Sequence, residues 1–71
     1  MNDVANNKIF VAIAAYRGAI SLYDDYADVH YNLARTLDKL GRDIEAEHHW
    51  AKFLKLAPDS PWADEAEQRL R

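Results

Sequence analysis

Three histidines and one glutamate are the residues in these 71 positions whose types and spacing could do chemistry. Glu45 and His48 have the Glu-x-x-His spacing with which helical bundles hold paired iron ions, and His49 follows directly. Such a centre needs inward-facing carboxylates and histidines from several helices. On a helix, Glu45, His48, Lys52 and Lys55 fall on one outward face, while adjacent residues point about 100° apart. No ligand set converges, so the sequence calls for no metal and no cofactor. His30 lies on an apolar helix face with no serine, cysteine or carboxylate placed to act with it, so a core-edge histidine with one hydrogen-bonded nitrogen is expected rather than a base. If buried neutral, it would be a weak acid-side trigger for unfolding. The chain reads as non-enzymatic.

Composition narrows the function classes further. Nine Lys and Arg residues are scattered among twelve Asp and Glu, for a net charge of −3, which argues against a nucleic-acid footprint. The best apolar run, Ile9 to Tyr16, is far shorter than the roughly 20 residues that span a bilayer. Asp3, the single Lys8 and the lack of a cleavage pattern argue against a secretory signal, which leaves the cytoplasm as the default location. There is no cysteine, so disulfide stapling is excluded. A chain of this length forms one small domain whose core supplies only a few kcal/mol, and added support must come from packing or another chain.

The elements that position these residues are helical throughout. Four helices are expected, at about Asn7–Tyr23, Tyr26–Leu40, Ile44–Leu56 and Pro61–Leu70. Asp25 and Asp43 are candidate caps for the second and third. Gly41 supplies the permissive backbone where the second stops, Pro58 blocks continuation of the third, and Ser60 with Pro61 forms an N-cap followed by proline. Short connections make neighbouring helices antiparallel.

Helical periodicity divides the second helix into two faces. Val29, His30, Leu33, Ala34, Leu37 and Leu40 gather on one; Asp28, Tyr31, Asn32, Arg35, Asp38 and Lys39 gather on the other. The second set can bind an extended peptide by hydrogen bonds and ion pairs, or be ordinary solvated surface. The first helix is apolar on two sides. Ile9, Ile13, Tyr16, Ile20 and Tyr23, flanked by Ala12 and Ala19, form one stripe, and Val11, Ala15 and Leu22 form another. Arg17, Gly18 and Ser21 make a narrow strip suited to water. Tyr16, Trp50 and Phe53 are expected to pack between helices, and Glu47, on the apolar arc of the third, to sit at an edge or meet an arginine.

The first third of the chain returns 34 positions later. Phe10, Ala12, Tyr16, Ala19, Ile20, Leu22 and Asp25 recur as Ile44, Ala46, Trp50, Phe53, Leu54, Leu56 and Asp59. A fixed period of this size signals repeats that bury apolar faces on each other. The stretch Asn32–Asp59 resembles a tetratricopeptide repeat: Leu33, Ala34 and Leu37 match its first helix, Gly41 its turn, and Ala46, Trp50, Leu54, Leu56 and Pro58 its second helix and terminal proline. His30 and Phe53 depart from it, standing where the family usually has tryptophan and alanine.

The resemblance implies an all-α fold of antiparallel hairpins, a right-handed α-solenoid fragment, with residues 1–71 as one domain. Residues 7–23 would be the lone second helix of an incomplete repeat, 27–60 a full repeat, and 61–70 a cap. Trp62, Ala63, Ala66 and Leu70 give the cap one apolar stripe, and Glu67 and Arg71 replace core positions, as a polar outer face requires. In that family the first helix of each repeat lines a concave groove for partner peptides, which assigns the groove here to Asp28, Tyr31, Asn32, Arg35, Asp38 and Lys39. Asn32, Arg35 and Lys39 are similar to the set with which some members hold a terminal carboxylate, although that clamp draws on several repeats. The implied partner is a protein or peptide. The alternative is self-association as a homodimer through Ile9, Val11, Ile13, Ala15, Tyr16, Ile20 and Leu22, one form of which exchanges the first helix across the Asp24–Asp25 turn.

Overall fold

The computed structural model describes residues 3–71, with side chains from Lys8 onward. It contains four helices, α1 (Asp3–Leu22), α2 (Ala27–Lys39), α3 (Asp43–Leu56) and α4 (Ala63–Arg69), and no strand among the described residues. Each packs on the next in chain order, with the α2–α3 hairpin sharing the largest interface. The fold is all-α.

The hairpin holds the core because both helices present large apolar side chains at helical spacing. Leu33, Ala34 and Leu37 from α2 meet Ala46, Trp50 and Phe53 from α3, all essentially without solvent contact. Full burial of each large side chain is worth about 1.5–3 kcal/mol. Ile13 of α1 and Ala66 of α4 complete the core from either side, with Ile9, Tyr16 and Ile20 packed half-buried against it. Glu47 is exposed, which resolves its place on the apolar arc.

The turn after α2 follows the expected chemistry. Gly41 takes φ +76°, the left-handed region that side chains with a Cβ resist. Arg42 N–H donates to Leu37 O at 2.9 Å and Gly41 N–H to Asp38 O at 3.0 Å, so the free carbonyls of the last turn are satisfied as in a Schellman motif. With only Leu40–Arg42 between them, α2 and α3 run antiparallel.

The expected caps are corrected. Tyr26 and Arg42 occupy the N-cap positions of α2 and α3, without side-chain cap bonds. Asp25 stands one residue too early, and Asp43 is already the first residue of α3, where its charge complements the positive end of the helix instead. Ser60 does cap, but a turn: its hydroxyl accepts from Trp62 N–H at 3.1 Å, and α4 starts two residues later than expected, at Ala63. At the other end, α1 begins at Asp3, four residues before the expected start.

Candidate binding groove and buried histidine pair

The outer face of α2 and the facing side of α4 form a cleft of about 290 Å³ lined by Arg35, Asp38, Lys39, Trp50, Glu65 and Arg69. Its carboxylates are already engaged. Asp38 Oδ2 accepts from Trp50 Nε1 at 2.8 Å and lies 3.8 Å from Arg69 Nε. Glu65 accepts from the Tyr31 hydroxyl at 2.7 Å and lies 4.0 Å from Arg35 Nε. Arg35, Lys39 and Arg69 are exposed along the same cleft, so its free hydrogen-bonding capacity is cationic.

Of the six residues assigned to the groove, Asp28, Asn32, Arg35 and Lys39 are exposed on one side of α2. Asn32 Nδ2 donates to Asp28 O at 3.0 Å along the helix. Tyr31 is corrected: it is buried, stacked on Trp62 with ring centroids 4.8 Å apart and edge-on to Trp50 at 5.5 Å. Its place beneath α4 removes it from a free groove, and it positions α4 instead. Burial and the Glu65 carboxylate both push its phenol pKa up from 10. Asp38 is half-buried as the acceptor for Trp50. Helical periodicity on α2 alone could not find this, because α4 decides which part of the outer face is covered.

His30 is also corrected, from a core-edge residue to a fully buried one with both nitrogens bonded. Nε2 is 2.8 Å from Asp24 O, and Nδ1 is 3.0 Å from Nδ1 of His49, itself nearly buried. The carbonyl can only accept, so His30 Nε2 carries hydrogen. Neutral His30 then accepts at Nδ1, and His49 must donate from its own Nδ1. Asp24 also reaches Lys52 Nζ at 3.1 Å, which holds its carboxyl below the ordinary range. Burial, and then the neighbouring His30 and His48, lower the His49 pKa to about 4. Sequence spacing put His48 on the outward face and His49 about 100° from it, but gave no sign of a partner 19 residues away.

His48 is exposed, Glu45 forms an ion pair with Arg17 of α1, and no metal-binding cluster of His, Asp or Glu occurs among the described residues.

The two stripes of α1 have different fates. Ile13, at 4% exposure, is core, and Ile9, Tyr16 and Ile20 pack against it, so these four expected self-association residues are occupied within the chain. Val11 at 67%, Leu22 at 75% and the exposed Ala15 remain uncovered. The 34-residue period locates this face. Ala12, Ala15 and Ala19 correspond to Ala46, His49 and Phe53, which are buried in the α2–α3 hairpin.

No described helix is long and apolar enough to cross a membrane. No curated protein and no solved structure matches the chain. Residues 27–60 match the family model described as Tetratricopeptide repeat, a family that generally mediates protein–protein interaction and is typically non-enzymatic. The α2–α3 hairpin and the turn that follows it, residues 27–60, are consistent with a tetratricopeptide repeat.

Proposed function

We propose that this chain is a non-enzymatic interaction module that holds an extended peptide along the outer face of α2. Arg35 and Lys39 bind its carboxylates or carbonyls, and Asp28 and Asn32 continue the contact toward the start of the helix. The observation that carries this reading is the α2–α4 cleft, in which both carboxylates are satisfied internally while three basic side chains line the opening. Charge-assisted hydrogen bonds to such groups are the stronger kind. Tyr31 and Asp38 contribute by fixing the cleft walls.

The test is selection from a displayed library of short unstructured peptides, followed by calorimetry. Binders should lose about tenfold or more in affinity on combined Arg35→Ala and Lys39→Ala substitution, with unchanged helical circular dichroism. Selection of no binder, or of binders indifferent to these residues, would remove the reading.

A second reading is favoured by the uncovered face of α1. There α1 acts as the second helix of an incomplete repeat, α4 as a cap, and a second copy of the chain covers Val11, Ala15 and Leu22. An antiparallel two-fold pairing sets Val11 against Leu22 and Ala15 against Gly18 of the other copy. The small residues allow close approach, and a Cβ at Gly18 would meet no atom of another described element within 4 Å. Lys8 at one end would approach Asp25 at the other. Sedimentation should show a dimer at micromolar concentration that Val11→Glu with Leu22→Glu dissociates; a wild-type monomer would dismiss it.

A further inference from the structure

The His30–His49 pair joins three parts of the molecule that share no other buried side-chain hydrogen bond among the described residues. His30 stands in the first turn of α2, His49 in the middle of α3, and Asp24 in the turn that leads out of α1. We infer that this pair is an acid-operated latch, which holds α1 and its turn on the α2–α3 hairpin when both rings are neutral and releases them in mild acid.

Hydrogen positions carry the argument. In the neutral pair one proton lies between the two Nδ1 atoms and another points at the Asp24 carbonyl, and this is the one neutral arrangement that satisfies all three atoms. The pair can hold one added proton without breaking the bond, His30 donating from Nδ1 once the His49 proton has moved to its Nε2, but a second leaves an N–H on both Nδ1 atoms, head-on. A proton added to His49 goes to Nε2 and leaves a cation in a nearly buried site. The first proton leaves a buried charge that needs a partner and the second also removes the bond, so both cost the closed state.

The surrounding charges supply a partner only in part. Toward His49, α1 brings Arg17 and α3 brings Glu45 and His48, but Glu45 is already paired with Arg17. Toward His30, the turn brings the Asp24 carboxylate, 3.5 Å away, and α3 brings Lys52, which holds that carboxylate at 3.1 Å.

α1 is the element that gives way. Among its described side chains only Ile13 is buried, whereas α2 and α3 bury Leu33, Ala34, Leu37, Ala46, Trp50 and Phe53 on each other. Elements with few buried contacts open first. Release would uncover Ile13, Tyr16 and Ile20 together with the face of α2 they cover.

Amide hydrogen exchange on the full chain, corrected for the intrinsic pH dependence of exchange, tests the latch. Between pH 7.5 and 4.5, α1 should become roughly fifty-fold more open if release frees His49 to titrate normally, while Leu33, Leu37, Trp50 and Phe53 keep their protection. His49→Asn places a non-titrating N–H near the position of Nδ1 and should abolish most of this change. Equal protection of α1 at both pH values, or an unchanged acid response in H49N, would overturn the inference. Should H49N lack native circular dichroism at pH 7.5, NMR titration of the wild-type rings decides. Protonation of His49 coincident with loss of α1 protection supports the latch, and protonation near pH 6.5 with α1 still protected refutes it.

Discussion

Trp50 and Asp38 are joined across the α2–α3 interface by a 2.8 Å hydrogen bond from the indole Nε1 to Oδ2, which provides the polar atom of a fully buried ring with its acceptor. The ring therefore fills the core without an orphaned N–H, and the carboxylate becomes one wall of the cleft. Asp38→Ala leaves the indole N–H unpaired and should cost about 1–3 kcal/mol. Asp38→Asn keeps an acceptor and should cost less. Urea denaturation followed by circular dichroism separates the two, and equal loss in both would assign the effect to charge rather than to the hydrogen bond.

Tyr31 ties α4 to the repeat by two means, the stack on Trp62 and the hydroxyl on Glu65. Tyr31→Phe removes only the second and should lower stability by about 1 kcal/mol. Tyr31→Ala removes both and should free the seven residues of α4, seen as loss of amide protection at Ala66 with Leu37 still protected. In alkali the sign is set by the raised phenol pKa. The folded state keeps its proton longer than the unfolded one, so this contribution is complete below pH 10 and is lost as pH rises through the folded value.

His49 gives the opposite edge of the pH range. Its folded pKa of about 4 lies below the ordinary 6.5, so the unfolded chain binds more protons between these values. Its contribution is complete above pH 6.5, falls as pH drops, and is gone below about 4. At about 1.4 kcal/mol for each pKa unit, the total is on the order of 3 kcal/mol. Unfolding free energies measured in urea at pH 7.5 and 4.0 should differ by that amount, and His49→Asn should remove most of the difference.

Gly41 should be intolerant for reasons of backbone alone. A Cβ there meets no atom within 4 Å, yet φ is +76°. Gly41→Ala should therefore cost about 1–2 kcal/mol, and Gly41→Asn less, because asparagine visits this region more readily. Thermal melts of the two variants provide the comparison; a neutral alanine would show that the turn can relax.

What the residues alone determined are the features that depend on neighbours in sequence. The helical periods of Leu33, Ala34 and Leu37 and of Ala46, Trp50 and Phe53, the stop at Gly41 and the 34-residue recurrence all act through local geometry. They made the all-α fold, and the repeat at residues 27–60, legible. Helical periodicity also put His48 on the outward face of α3, where it is exposed. Tertiary structure alone decided which half of each remaining face has a neighbour. It set α4 over Tyr31 but not over Arg35, covered Ile13 while leaving Val11 and Leu22 bare, and brought His30 to His49 and the Asp24 carbonyl. Periodicity says which way a side chain points on its own helix. The crossing of another helix determines what, if anything, it meets there, and hydrogen bonds as short as these depend on that position to within a fraction of an ångström.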